Sequence, residues 1–435
     1  MTDQQLKEII ADQKESFNRQ RDLIDRDVEL TSFLATSLAV VISGVRRCGK
    51  SSLLHLIKQR LQLGEADYCY VNFDDERLIK STEILQKVYL LHVETNRKEP
   101  VFFFDEIQNV PAWEKFVNRM YERGLKLFLT GSNATLLSSE IASSLTGRNK
   151  TLELFPFSFA EYLRYQNKPF DLDNLSSKNK SLLRGALQDY MHTGGFPLVI
   201  KEQDLDLINN YFQDILYRDI VARYRITQVN EIKQIALYLA SNTGKLFSYA
   251  TLQQIAGVKS TQSVKSYVDY LQDSYLFFYL KKFDYSVRKQ MMNSRKAFVI
   301  DPAISNRLGF SFSANAGRIL ENIVLLQLLR QGCEVYYFKE KKECDFVVKK
   351  GLNIIAAIQV CESLHPENYQ RECDGLAEAM QAYGLKNGLI ITNNNTLTQG
   401  QIPENIQIAE AYHWLLHNEF QTTKAMAKTK SMFKN

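Results

Sequence analysis

Between Val40 and Leu54 the chain reads Val-Val-Ile-Ser-Gly-Val-Arg-Arg-Cys-Gly-Lys-Ser-Ser-Leu-Leu, and no other stretch restricts the fold as strongly. Apolar, mostly β-branched residues enter a turn bounded by glycines, and a helical pattern leaves it. The turn fits G-x-x-x-x-G-K-[ST], the phosphate-binding loop, in the strand-to-helix setting that this motif requires. The reason for these residue types is charge. A nucleoside triphosphate needs donors on all sides, and backbone N–H groups at a helix N-terminus supply them along with the positive end of the helix dipole. Gly44, Val45, Arg46, Arg47, Cys48, Gly49, Lys50, Ser51 and Ser52 are the expected cradle. Gly44 and Gly49 let the main chain wrap closely, Lys50 would reach the β- and γ-phosphates, and the Ser51 hydroxyl would be a ligand of Mg²⁺. A chance glycine turn is the alternative reading of so short a pattern.

Farther along, Pro100 to Ile107 places four apolar residues before Asp105 and Glu106. A strand buried on both faces, its carboxylates emerging at the C-terminal tip, has this composition. This is the Walker B pattern: Asp105 would hold Mg²⁺ through its water shell, and Glu106 would polarise the water that attacks the γ-phosphate. The strand from Tyr68 to Phe73 ends in Asp74, Asp75 and Glu76, read as a helix cap in preference to a ligand crevice at a strand end. A third strand from Lys126 ends at the small polar residues Ser132 and Asn133, and resembles the strand of AAA-class ATPases whose polar end residue contacts the γ-phosphate or the attacking water; the resemblance implies that part for Asn133 or Ser132. Arg148 reads as an arginine finger acting in cis or in trans, or equally as a solvated, salt-bridged arginine. Residues 1–35 read as amphipathic and helical, with no contact residue identifiable.

The order of these motifs is more specific than any one of them. The loop with its Arg46-Arg47 pair, the stretch Val101 to Glu114, the stretch Leu129 to Arg148 and the stretch Leu152 to Leu163 together resemble a family of prokaryotic AAA-class ATPases. The resemblance spans about residues 20–415. It implies an α/β fold: a P-loop NTPase domain of AAA type, then a helical and winged-helix module, then a C-terminal α/β domain like a restriction endonuclease. ATP and Mg²⁺ are the cofactors implied.

From Glu231 to Lys282 the pattern is helix, helix, turn, helix, strand, with Gly257 at the turn and Leu276 to Leu280 as wing strand. That is a helix-turn-helix signature. Lys259, Ser260, Gln262, Ser263 and Lys265 are candidate contacts to phosphate and base edges, and a protein-packing role fits the same fold. The charged, aromatic helix from Tyr211 to Arg225 reads as a bridge between domains. Helix residue Glu321 and strand residues Asp345 and Gln359 match the layout of the PD-(D/E)XK nuclease fold, which this region resembles. In that chemistry carboxylates hold Mg²⁺ against the scissile phosphate and a lysine positions water. The lysine position is Cys361, whose thiol carries no permanent charge, so the centre is incomplete as written. Lys349 or Lys339 could substitute. His413 and His417 share a helix face that could meet a metal, and read more simply as ordinary helix residues beside Trp414.

Composition adds boundaries. A chain of 435 residues, 45% hydrophobic and 24% charged, is ordinary for about three globular domains. It has no apolar run near the roughly eighteen residues that cross a bilayer and a polar start unlike a signal peptide, so a cytoplasmic protein without a membrane partner is expected. Six cysteines lacking zinc-site spacing read as reduced thiols. A net charge of +5 permits nucleic acid without demanding it. The expected domains are residues 1–165 (ATPase), 166–230 (helical linker or lid, opening on the polar loop with Pro169, Asp171, Asp173 and Asn174), 231–300 (winged helix), 301–420 (nuclease-like) and 421–435, a basic tail with Lys424, Lys428, Lys430 and Lys434. The function expected is an ATP-gated switch, hydrolysing ATP and acting on DNA or a partner protein, in a chain that could form a homo-oligomer. A Mg²⁺-dependent nuclease regulated by its ATPase and a non-hydrolysing ATP-binding module are the alternatives.

Overall fold

The computed structural model describes residues 1–19, 23–133, 147–168, 175–309, 316–397 and 402–417. The basic tail, Pro169, Asp171, Asp173 and Asn174, and Ser144 to Thr146 lie outside the described residues. Two compact units partition the chain: Met1–Phe157 with Asp214–Arg225 and Tyr270–Leu276, and Ser158–Gln213 with Ile226–Asp269 and Phe277–Asn435.

The first unit is built on five parallel strands: β1 (Ala39–Ser43), β2 (Tyr68–Asn72), β3 (Val101–Asp105), β4 (Leu127–Gly131) and β5 (Asn149–Glu153), in the order β2-β3-β4-β1-β5. β1 and β4 are buried at every position, which is why their sequences run apolar without alternation. Register brings the strand ends level, with Asn72 opposite Asp105 and Ser43 opposite Gly131. An aromatic layer covers one face. Phe103 stacks on Phe128 with centroids 5.3 Å apart and meets Tyr68 edge-on at 6.1 Å. Phe17, from the helix Asp3–Asn18, stacks on Tyr70 at 4.0 Å. That helix begins in a capping box between Thr2 and Gln5. The expected helical stretch of residues 1–35 is interrupted: residues 23–30 are non-helical and a short helix, Thr31–Ala35, follows. Arg26 in the interruption donates to the carbonyls of Cys48 and Phe155 at 3.1 and 2.7 Å, contacts that a continuous helix would not direct.

In the second unit, helices Phe159–Tyr165, Ser177–Thr193 and Pro197–Glu202 lead to Val229–Ser241. The break between the second and third has a steric cause. A Cβ on Gly194 would lie 1.8 Å from Asp301 Oδ1, and the Asp301 carboxylate accepts the N–H groups of Gly195 and Ala303 at 2.6 and 3.0 Å. Helix Tyr249–Ala256 ends at Gly257, at φ 65°, before the helix Thr261–Asp273, of which residues up to Asp269 belong to this unit. A small antiparallel sheet accompanies them, order β6-β8-β7, from β6 (Leu246–Phe247), β7 (Phe277–Lys281) and β8 (Arg295–Val299).

The remainder is a helix, Ala316–Arg330, followed by β9 (Glu334–Lys339), β10 (Glu343–Lys350), β11 (Asn353–Leu364), the helix Pro366–Tyr383, β12 (Gly388–Asn395) and β13 (Ile406–Glu410). Their sheet has the order β13-β12-β11-β10-β9, antiparallel from β9 to β11 and parallel from β11 to β13. Among the described residues no helix is long and apolar enough to cross a membrane.

Phe103 is fully buried between two aromatic neighbours. Phe103→Ala should lower the unfolding free energy of this unit by about 3–5 kcal/mol, read as a shifted urea midpoint with unchanged slope; a loss below about 1 kcal/mol would show that the layer is not packed as described.

Candidate functional site

The loop after β1 turns because its residues leave it no room to do otherwise. A Cβ on Gly44 would lie 2.1 Å from the Leu154 carbonyl oxygen, and Gly49, at φ 101°, is the N-cap of the helix Lys50–Arg60. The chain therefore doubles back and brings the Lys50 side chain under its own loop. Lys50 Nζ donates to the carbonyls of Gly44 and Val45 at 3.1 and 3.2 Å and pairs with Glu106 Oε1 at 3.3 Å. Burial opposes its charge, yet the neighbouring Glu106 outweighs burial and Lys50 is held protonated above the ordinary lysine range.

Asp105 ends β3, 1% exposed. The hydroxyls of Thr130, Tyr70 and Ser51 reach it, Tyr70 at 3.3 Å. Burial, reinforced by adjacent Glu106, raises the Asp105 carboxyl above its usual range. Glu106 follows in the left-handed region at φ 52°, its N–H donating to Thr130 Oγ at 2.9 Å. Burial alone would raise its carboxyl too, but Lys50, Gln108 and Arg46 together hold it below the usual range. Two adjacent acids are thereby split: one pressed toward its neutral form, the other kept ionised.

Arg46 closes the cluster. Its guanidinium clamps Asp219 through Nε and Nη2 at 3.1 and 2.9 Å and reaches Asp74 through Nη1 at 3.1 Å. Asp219 lies in a π-helical turn, Ile215–Ala222, is 6% exposed and accepts from Ser132 Oγ at 3.4 Å. Asn133 is buried at the end of β4, its Nδ2 donating to Tyr224 Oη at 3.5 Å. Tyr224 stacks on Tyr270 at 3.7 Å and donates to Asp273 Oδ2 at 3.1 Å. The stretch Tyr211 to Arg225, read from sequence as a domain bridge, thus contributes Asp219 and Tyr224 to the loop's surroundings.

The Asp74-Asp75-Glu76 cluster does not cap a helix. The next helix, Ile84–Asn96, begins without a side-chain cap. Asp74 is drawn to Arg46, and Asp75 is held by Arg77 at 2.9 Å and by Gln13 at 2.9 Å, because the strand delivers these acids beside arginines before any helix begins. Arg148 is engaged by Glu122 Oε1 at 2.9 Å and by Asn118, on the helix Trp113–Glu122. Asp219, Thr130 and Arg26 belong to none of the sequence motifs. Asp219 had a signal: it shares the spacing of buried Ile215, Leu216 and Ile220, an acid on an apolar face, which seldom stays there without a cation.

In the second unit Glu321, Asp345, Gln359 and Cys361 are buried. Asp345 and Gln359 are neighbours on adjacent strands, Gln359 Oε1 accepting the Asp345 N–H at 3.3 Å and Gln359 Nε2 donating to Glu372 at 2.8 Å. Burial pushes the Cys361 thiol up to about 12, so it stays neutral. Neither candidate lysine is at the carboxylates' centre: Lys349 pairs with Glu334 at 2.7 Å and Lys339 with Glu343 at 3.0 Å, each on the strand ladder where it originates. The ammonium between Glu321 and Asp345 belongs to Lys296 on β8. His413 and His417 meet through their Nε2 atoms at 3.0 Å. Among the described residues no three or more His, Cys, Asp or Glu side chains are grouped to hold a metal ion.

Residues 36–163 match the family described as an AAA domain, and residues 184–315 match a domain of unknown function, DUF8612. Among solved structures, the RuvB Holliday junction branch migration motor of Thermotoga maritima is similar at 16% identity, covering 64% of this chain and 89% of that one, with a TM-score of 0.28. DnaA from Aquifex aeolicus, bound to AMPPCP, is similar at 15% identity, covering 60% and 85%, with a TM-score of 0.26. At those scores the likeness carries no functional inference. An uncharacterized protein of Methanocaldococcus jannaschii is 34% identical over 94% of this chain and 94% of its own length. An uncharacterized protein of Haemophilus influenzae is 30% identical over 89% of this chain and 96% of its own length. The chain carries an AAA domain and, being so similar to these archaeal and bacterial proteins over nearly their full lengths, belongs to the same family as they do.

Proposed function

We propose that this protein binds and hydrolyses ATP as an AAA-class switch that acts on DNA or on a partner protein. The observation that carries the reading is the convergence of Lys50, Ser51, Asp105 and Glu106 at one loop, where buried Lys50 is held by Glu106 at 3.3 Å. The donor set fits ATP with Mg²⁺: backbone N–H groups at a helix start, one protonated lysine, one hydroxyl and one acid beside it. Ser51 and Asp105 would hold the Mg²⁺, directly and through water, and Gly44 to Ser52 the phosphates. When bound, Mg²⁺ neutralises charge on the transferring phosphoryl group. Lys50 would exchange Glu106 for phosphate oxygens, and Glu106, ionised and released, would take a proton from water. Ser132 and Asn133 stand at the adjacent strand end, and Arg46, fixed by Asp219, keeps the loop's fourth side charged. An arginine-finger role for Arg148 would require it to leave Glu122, and an assembly if it acts in trans.

For the second unit, the succession of helices and the sheet of β6, β7 and β8 support a winged-helix reading, with Lys259, Ser260, Gln262 and Lys265 exposed. The succession helix, three antiparallel strands, helix, two parallel strands supports a nuclease-like reading. Gln359 turned to Glu372 and a neutral thiol at Cys361 support a centre that has lost catalysis.

Calorimetry and phosphate release test the ATPase. Lys50→Ala should lose ATP affinity at least tenfold, and Glu106→Gln should retain ATP while turnover falls about 10²–10⁴-fold; equal turnover by wild type and Glu106→Gln would instead leave an ATP-binding module that does not hydrolyse. Removing Asp219 takes the bidentate partner from a largely buried guanidinium and leaves it Asp74 alone, so Asp219→Ala should cost about 3 kcal/mol, against less than about 1 kcal/mol for Glu122→Ala at the exposed Arg148 pair, both from urea unfolding. If the winged helix meets a phosphate backbone, Lys259→Ala with Lys265→Ala should lower the salt dependence of DNA binding by about 2 in log–log slope; an unchanged slope in fluorescence anisotropy removes that contact.

A further inference from the structure

Lys296 is 2% exposed on β8, and its ammonium is the meeting point of three carboxylates. Glu321 Oε1, from the helix Ala316–Arg330, lies at 2.8 Å; Glu343 Oε1 and Asp345 Oδ1, from β10, lie at 2.9 and 3.2 Å. An ammonium has three N–H donors and no more, so the count closes one to one. Behind this first ring, Asp345 Oδ2 accepts the Val360 N–H at 3.0 Å, and Lys339 holds the second oxygen of Glu343 at 3.0 Å. A groove of about 770 Å³ opens over the cluster, lined in part by Arg318, Lys342, Gln359, Cys361 and Arg371.

Carboxylates from a helix and a strand, converging at the floor of a groove, are the hard oxygen donors that divalent cations take. The residues present do not fit one. The contacts are of N–H···O length, well beyond the 2.0–2.1 Å that Mg²⁺ demands, and the point to which all three acids aim is taken by nitrogen. Burial opposes the charge on Lys296, but the surrounding acids outweigh it and hold the amine protonated far above its ordinary range; burial and the neighbouring Asp345 raise the Glu321 carboxyl above its own, against the pull of Lys296. Displacing the amine would leave it buried beside nothing of opposite sign, which is strongly unfavourable.

We propose that Lys296 is an internal cation in permanent possession of this carboxylate centre, so that the groove works without a divalent metal ion and acquires a metal site only when the amine is removed. The side chain supplies, from a different strand, the positive charge that Cys361 lacks, and it supplies it to the acids instead of to a substrate.

Mn²⁺ binding to the full chain without nucleotide, followed by the electron paramagnetic resonance of free Mn²⁺, tests this; any ion taken near Asp105 is common to all variants and cancels. Wild type, Lys296→Arg and Asp345→Asn are expected to bind equal numbers of ions. Lys296→Ser is expected to bind one more per chain, at least tenfold tighter than any site of the wild type, to lose it when Asp345→Asn is added, and to gain thermal stability from Mn²⁺ that the wild type does not. A wild-type ion lost in Asp345→Asn overturns the inference, as does a folded Lys296→Ser with no added ion. If Lys296→Ser fails to fold, the comparison of wild type with Asp345→Asn decides alone. The inference deepens the reading of this region as a centre without catalysis. Mg²⁺-dependent DNA cutting by wild type that Asp345→Asn abolishes would sink both, whereas a folded Lys296→Ser that takes up no ion would sink only this one.

Discussion

Charge without water is the condition on which the first unit depends. At the C-terminal edge of its sheet, Lys50 and Arg46 share a nearly dry volume with Asp105, Glu106 and Asp219. None of the five is affordable singly, since an isolated buried ion is displaced toward neutrality or unfolds its surroundings. Each is kept by a neighbour within hydrogen-bond distance, and the hydroxyls of Thr130, Tyr70 and Ser132 fill the positions that charge leaves open. The parallel sheet matters because it sets these neighbours level: register puts Asp105 next to Asn72 on one side, and β4 pairs with β3 on the other. The result is an edge whose charges are interdependent, and a ligand that recruits one of them alters the partner it leaves.

The second unit meets the same requirement with the signs redistributed. Three acids there surround one amine, where in the first unit a single glutamate faces the lysine. Both arrangements use a lysine with less than a tenth of its surface exposed, and both draw its counter-charges from elements distant in sequence. In each case the ion pairing is bound to the tertiary fold, and neither cluster can form until its strands have paired.

What was legible in the sequence follows from how local its cause is. The loop, β1 and the helix Lys50–Arg60 are fixed by neighbours along the chain, so the glycines, Lys50 and Ser51 announce themselves; Asp105 and Glu106 do so because four apolar residues precede them. The turn after the helix Tyr249–Ala256 is local in the same way, with Gly257 supplying its left-handed residue. Asp219 and Lys296 were not, because a charge in an apolar stretch names no partner: Arg46 is 173 residues from Asp219, and Lys296 finds acids 25 and 49 residues away. The acidic run after β2 misled for a related reason. Capping depends on which backbone N–H groups come next, while Arg46, which takes Asp74, arrives from another strand's end.

The π-helical turn that carries Asp219 is fastened at both ends to chain of the other unit, since Asp214–Arg225 is flanked by residues 158–213 and 226–269. A segment tethered twice has no free end through which to relax. The carboxylate that Arg46 clamps thus sits on a span closed by covalent bonds at residues 213–214 and 225–226, so its place beside the loop is set by the chain's connectivity as well as by the ion pair.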